Sequence, residues 1–179
     1  MRYRLITILL CLLFLTACTE DAENTYSRHR AFFRFQPVSA VAPLNNALNS
    51  MGEFCTVRQN ATHYLFNGSA GEAKWQKTGV DEYNAMQAIG GFIIGKATLS
   101  DIGTNVFPLL CFDLACSNCY DEANIARNLS LEENGRAVCT RCHRTYDLNN
   151  QGIIVEGNKG KKLFRYRIQY SSDLVIVQN

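Results

Sequence analysis

Short stretches rich in β-branched and aromatic residues recur along the chain after residue 50, with turn residues between them. Such stretches predict β-strands, because these side chains fit a pleated, half-buried surface. The predicted strands are Glu53–Arg58, Thr62–Phe66, Gly91–Ile94, Val106–Phe112, Gly152–Glu156, Leu163–Tyr170 and Asp173–Val177. Several short strands with this spacing are typical of an all-β sandwich or barrel.

The clearest of these strands is Leu163–Tyr170, in which apolar and polar residues alternate. With a period of two, one face carries Phe164, Tyr166, Ile168 and Tyr170, and the other carries Arg165, Arg167 and Gln169. The turn residues Ser171–Asp173 follow, so this strand and Asp173–Val177 are predicted to form a hairpin. Helical character is confined to Val80–Ile89 and to a turn of helix at Asp121–Arg127.

The N-terminus has a different pattern, typical of a secretory signal. Arg2 and Arg4 precede an eleven-residue apolar run, Leu5–Leu15, whereas a bilayer span needs about 20 residues. The sequence Leu15-Thr16-Ala17-Cys18 then resembles the lipobox of bacterial lipoproteins. The resemblance implies cleavage before Cys18, diacylglycerol on its sulfur and an acyl chain on its new amine, which together anchor a protein stably.

These features divide the chain into a signal peptide at residues 1–17, a lipidated tether at residues 18–35 and one β domain at residues 36–179. The acidic segment Thr19–Glu23 looks like the signals that send some Bacteroidetes lipoproteins to the cell surface, and a solvated tether explains it equally well. We therefore expect an outer-membrane lipoprotein of the bacterial cell envelope that faces the periplasm or the cell surface.

Charge argues against a nucleic-acid partner. The chain of 179 residues has 18 basic and 16 acidic side chains, and removal of the signal with Arg2 and Arg4 leaves 16 of each, a net charge of zero. A neutral chain with scattered charges is a poor candidate for binding nucleic acid through electrostatics. Lys159, Lys161 and Lys162 stand beside a predicted turn and are interpreted as a solvated rim.

Four of the eight cysteines form two C-x2-C pairs, Cys116 with Cys119 and Cys139 with Cys142, separated by 19 residues. Two such pairs at this distance match the zinc-ribbon spacing. Each turn directs two thiolates at one ion, and both together complete a tetrahedral site for zinc, iron or an iron–sulfur cluster. Disulfides are the alternative in an exported protein. His143, next to Cys142, is a possible alternative ligand or a neighbour of the site.

Cys55 and Cys111 lie inside predicted strands, outside either pair. They fit two interpretations, which are buried free thiols or one disulfide between neighbouring strands.

Around the cysteine pairs the chain resembles the Rieske iron–sulfur family. The matching parts are the two cluster loops (Phe112–Cys119 and Cys139–Leu148, with Tyr146-Asp147 for the family's Phe-Asp), the next hairpin (Gly152–Gly157) and a late strand (Leu163–Ile168). The likeness covers about residues 90–178. It implies an all-β fold of stacked antiparallel sheets, with a metal-binding tip made by loops 111–119 and 137–147.

The ligands themselves depart from that family. Cys116 and Cys139 match its two cysteines, but Cys142 occupies the place of its second histidine. The place of its first histidine holds Asn118, with Cys119 one residue later. The four cysteines therefore predict either an all-cysteine [2Fe–2S] cluster or a single zinc or iron ion.

Zinc is favoured over the cluster by the predicted export route. A cluster assembled in the cytoplasm is exported within a folded protein, and that route uses a twin-arginine signal. The arginines at positions 2 and 4 are split by Tyr3, so this signal is missing. Zinc needs no assembly machinery and contributes directly to folding.

Two function classes follow. The first is a metal-stapled structural or interaction module at the membrane, and the second is an electron carrier between membrane-associated partners. In either class the protein partner is unknown. The sequence has no G-x-S-x-G, H-E-x-x-H or phosphate-loop motif, so we do not expect an enzyme.

Overall fold

The structure is a computed structural model that describes residues 25–100 and 103–179. The predicted signal peptide and Cys18 lie outside the described residues. In chain order the strands are β1 (Phe32–Phe35), β2 (Phe54–Gln59), β3 (His63–Gly68), β4 (Gly71–Gln76), β5 (Phe92–Lys96), β6 (Leu109–Asp113), β7 (Ser130–Glu132), β8 (Arg136–Val138), β9 (Thr145–Asp147), β10 (Ile153–Glu156), β11 (Arg165–Ser171) and β12 (Leu174–Gln178). The α-helices are α1 (Ala42–Asn49), α2 (Gly79–Tyr83) and α3 (Ser117–Ala123).

The strands form two antiparallel sheets. The large sheet has the order β1-β12-β11-β6-β5-β2-β3-β4, and the small sheet has the order β10-β9-β8-β7. The predicted all-β class with antiparallel sheets is therefore confirmed. Each of the seven predicted strands has a counterpart, although β6 begins three residues later than expected.

The predicted C-terminal hairpin is also confirmed. β11 pairs with β12 from Arg167↔Gln178 to Ser171↔Leu174. Ser172 and Asp173 make the turn with φ angles of 50° and 63°, the left-handed conformation that fits a two-residue hairpin turn to the strand twist.

The sheets bury two separate apolar cores on the two faces of β5 and β6. Phe92 and Ile94 of β5 point into a core shared with α1 and β1, whereas Ile93 points into a core shared with the small sheet. A strand that is covered on both faces has a continuous apolar sequence, which is why β5 and β6 lack a clean alternation. The cysteine pairs lie beside the second core.

The domain begins before the predicted boundary at residue 36. β1 lies within the predicted tether and pairs with β12 from Phe32↔Gln178 to Phe35↔Val175. Phe33 and Phe35 are buried, and the ring of Phe33 packs against those of Tyr64 and Phe92. The sequence prediction missed this strand because its partner lies about 140 residues away, so no local pattern marks it.

The helices differ from the prediction as well. α1 was not predicted, and it packs on β2, β3 and β5 through Leu44, Ala47 and Leu48. The helix expected at Val80–Ile89 ends at Tyr83. Within the described residues, no helix combines the length and the apolar character needed to cross a membrane.

Cys55 and Cys111 do not form the disulfide that the sequence left open. Ile94 stands between them in the ladder, because Cys55 pairs with Ile94 and Ile94 pairs with Cys111. Two strand spacings separate the Cα atoms by about 9.6 Å, beyond the roughly 7 Å that a disulfide spans. Both cysteines are free and buried.

Candidate metal centre

The four cysteines of the two C-x2-C pairs come together in one cluster. Their Sγ atoms all lie within 4.8 Å of one another. The Sγ atom of Cys116 is 3.6 Å from that of Cys142, and the Sγ atom of Cys119 is 3.7 Å from that of Cys139. Ligands at a zinc–sulfur distance of about 2.3 Å stand about 3.8 Å apart in a tetrahedron. The cysteines are free, so the four donors could hold one metal ion.

The first pair is positioned by the start of a helix. Cys116 stands directly before α3, and the backbone N–H of Tyr120 donates to the Cys116 carbonyl at 3.0 Å. Cys119 lies in the first turn of the helix, which brings its sulfur back toward Cys116. α3 thus begins four residues before the predicted turn at Asp121–Arg127.

The second pair is positioned by a tight turn between β8 and β9. The N–H of His143 donates to the carbonyl of Cys139 at 2.9 Å, and the N–H of Cys139 donates to the carbonyl of Arg144 at 3.0 Å. His143 is left-handed, with φ 55°. Its side chain is exposed and does not join the four sulfurs, so the structure gives no support to His143 as an alternative ligand.

Tyr146 and Asn118 provide hydrogen bonds on the buried side of the cluster. The Tyr146 hydroxyl lies 3.1 Å from the Cys116 Sγ, and it accepts a hydrogen bond from Asn118 Nδ2 at 2.9 Å. Asn118 donates to a lone pair of the hydroxyl oxygen, so the hydroxyl proton of Tyr146 is free to point at the Cys116 sulfur. Burial, reinforced by the nearby Cys116, raises the pKa of Tyr146, which keeps that proton in place.

Arg144 forms the polar side of the cluster. Its guanidinium donates to Glu122 Oε1 at 3.0 Å and to the carbonyl of Asn158 at 3.1 Å, and it hydrogen-bonds Cys142. Burial raises the pKa of Cys142, but hydrogen bonds from the backbone and side chain of Arg144, together with those from Cys139 and Cys116, outweigh this effect and lower the pKa to about 7.

Burial raises the pKa values of Cys116 and Cys119 above the ordinary range of a thiol. Without a cation these two groups remain protonated at neutral pH. A bound metal ion replaces the protons, because it is the thiolates that ligate.

A loop at residues 157–162 closes over the cluster. The Asn118 side chain pairs with the backbone of Lys161 in both directions, with Nδ2 donating to the carbonyl at 2.8 Å and Oδ1 accepting from the N–H at 2.9 Å. The loop approaches so closely that a Cβ atom on Gly160 would collide with Asn118 Oδ1. A larger residue there would displace the Asn118 side chain from its hydrogen bonds with Lys161.

A buried carboxylate holds in place the chain segment that leads to Cys116, the first cysteine of the first pair. Asp113, at the end of β6, accepts hydrogen bonds from the N–H groups of Gly90 and Ala115 on Oδ1, at 2.9 and 2.8 Å. Its Oδ2 accepts from the N–H of Ile89 at 2.9 Å and from the Tyr166 hydroxyl at 3.0 Å. These bonds tie two loops together three residues before Cys116.

The sequence prediction named the four cysteines that the structure brings together, but it missed Tyr146, Arg144 and Asp113 as neighbours that position them. Tyr146 was noted only as part of a resemblance, and nothing in the sequence around Arg144 or Asp113 distinguishes either from a surface charge. Their roles depend on contacts between segments that are far apart in the chain.

Comparison with models of known protein families finds no match. No curated protein is significantly similar in sequence either. The likeness to Rieske domains therefore stays a prediction from the residues quoted above. Fold and site together define an all-β protein with a four-cysteine cluster suited to one metal ion.

Proposed function

We propose that this protein is a lipid-anchored domain of the bacterial cell envelope, in which Cys116, Cys119, Cys139 and Cys142 hold one zinc ion. The ion staples two loops together, and the stapled domain binds a protein partner. The observation that carries the proposal is the mutual approach of the four sulfur atoms within 4.8 Å.

The compactness of the cluster supports a single ion over a [2Fe–2S] cluster. Two cysteines bind each iron of such a cluster, and two bridging sulfides lie between the irons. Sulfurs on different irons are therefore much farther apart than sulfurs on the same iron. Here all four sulfurs lie within 4.8 Å of one another, so no pair has the longer separation that two irons would require.

A structural role fits the donor set better than catalysis. Four thiolates fill a tetrahedral shell and leave no position for a substrate. Zinc with four thiolates carries two net negative charges, and the buried guanidinium of Arg144 beside Cys142 offsets part of them.

An electron carrier is the second candidate, and the partial exposure of Cys142 beside exposed Arg141 and His143 favours it. Electron transfer needs a centre close to the surface. This candidate requires iron, so a colourless protein with one zinc ion would eliminate it.

Removal of the metal tests the structural role. We expect a strong chelator under reducing conditions to abolish protection from hydrogen exchange in β8, β9 and the two cysteine turns, because the ion cross-links them. The amides of β2 and β3, which lie in the large sheet away from the cluster, serve as the internal control and should keep their protection. Unchanged protection at both places would contradict a structural role.

The lipid anchor has its own test, because the proposal assigns acylation to Cys18. We expect metabolic labelling with a fatty acid to mark the unmodified full chain and the Cys11→Ser variant equally, and to leave the Cys18→Ala variant at background. Cys11 is the matched control, since it lies within the apolar part of the predicted signal. Label retained in Cys18→Ala would contradict the anchor.

A further inference from the structure

Five basic side chains gather around the first described residues of the chain. Three neighbouring cavities, the largest of them open to solvent beside Tyr26, share Thr25 in their walls. The basic side chains that line them, called the basic face here, are Arg28, Lys161, Lys162, Arg165 and Arg167. The sequence prediction had treated the lysines as a solvated rim, but folding places them next to arginines from two other segments.

The basic face carries an excess of positive charge. Among the described side chains that line the three cavities, one is acidic, Asp121, and it is paired with Lys161 at 2.8 Å. The guanidinium groups of Arg165 and Arg167 lie over the ring of Tyr26, at 5.3 and 4.5 Å from its centre. Cation–π contacts of this kind hold the arginines in place before any ligand arrives.

With the proposed lipid anchor, the position of the basic face along the chain places it close to the membrane. Thr25, which lines all three cavities, follows Cys18 by seven residues, and seven residues reach at most about 25 Å. A lipid on Cys18 would keep this face within that distance of the bilayer. Anionic headgroups attract basic side chains over about one Debye length of roughly 10 Å.

We propose that the basic face binds the phosphate groups of anionic phospholipids and thereby fixes which side of the domain faces the membrane. The inference rests on the proposed anchor for the closeness of the bilayer, but the binding itself needs no anchor. Lys161 also belongs to the loop that closes over the cysteine cluster through Asn118. Docking would therefore turn that side of the domain toward the membrane.

Vesicle binding by the chain from Thr19 to Asn179 tests the proposal without a lipid anchor. This chain retains the acidic residues Glu20, Asp21 and Glu23 of the predicted tether. We expect co-sedimentation with vesicles of phosphatidylcholine and phosphatidylglycerol, and none with phosphatidylcholine alone. Binding should weaken as sodium chloride is raised. Equal binding to both vesicles, or none to either, would overturn the proposal.

Paired charge reversals locate the binding surface. The double variant Arg28→Glu, Arg167→Glu should bind the anionic vesicles at least about tenfold more weakly. The control Arg58→Glu, Lys74→Glu makes the same change in net charge on exposed positions of β2 and β4, and should bind within about twofold of the unmodified chain. Equal weakening of both variants would overturn the proposal. So would release by inorganic phosphate at an ionic strength at which sodium chloride leaves the protein bound, because that result indicates a site for the free anion. The zinc content of the same samples shows independently whether the proposed metal centre fails.

Discussion

The Cys139→Ser variant is expected to lose its zinc and to be less stable by about 4 kcal/mol or more, the range in which loss of a metal falls. Cys139 is fully buried, and its sulfur lies 3.7 Å from that of Cys119. Serine offers a neutral hydroxyl, which is a far weaker zinc ligand than a thiolate. Zinc analysis and urea unfolding of the purified variant measure both effects.

Cys55→Ser is the matched control for this substitution. Cys55 is equally buried but lies in β2, on the far side of the large sheet from the cluster. Burial raises its pKa to about 12, so it stays a neutral thiol. We expect one zinc ion per chain in this variant. Equal loss of zinc from both variants would mean that the ligands are assigned wrongly.

The Asp113→Asn variant is expected to lose about 2 kcal/mol of stability while it keeps zinc. The carboxylate accepts four hydrogen bonds between 2.8 and 3.0 Å. An amide puts an NH2 group where an oxygen was. At the Oδ2 position the Tyr166 hydroxyl turns to accept from that group, so one donor, the N–H of Ile89, loses its acceptor at about 1–3 kcal/mol. Urea unfolding of the zinc-bound protein measures the change.

Asp121→Asn provides the comparison. Asp121 is exposed and makes a surface ion pair with Lys161, so its loss should cost less than about 1 kcal/mol. If Asp113→Asn unfolds at the same urea concentration as Asp121→Asn, the buried carboxylate does not anchor the loop that leads to Cys116.

The strands could be predicted wherever the pattern is local. β11 alternates cleanly, and the turn at Ser172 and Asp173 sends the chain directly into its partner β12. β1 was not predicted because it becomes a strand by pairing with β12, at the other end of the chain, and its two buried phenylalanines give no local sign of that pairing. β4 was likewise not among the predicted strands, although its Trp75 packs against Phe35.

For the metal centre, spacing predicted the donors but not their surroundings. A C-x2-C turn is a local feature, so its two thiolates are visible in the sequence. The contact of the Tyr146 hydroxyl with Cys116 joins residues 30 positions apart, and the pairing of Asn118 with Lys161 joins residues 43 positions apart. The sequence likewise left open whether Cys55 and Cys111 pair, and only the order β2-β5-β6 separates them.

The most direct test of the four-cysteine zinc site is a metal analysis combined with a visible spectrum. The sample is the chain from Thr19 onward, purified without oxygen from a bacterial host. We expect one zinc ion per chain, no visible absorption and six free thiols in the unfolded, metal-free chain, namely those of the four ligands and of Cys55 and Cys111. Two irons with acid-labile sulfide would contradict this expectation and indicate an electron carrier, and disulfides without metal would show that the four sulfurs do not form a metal centre.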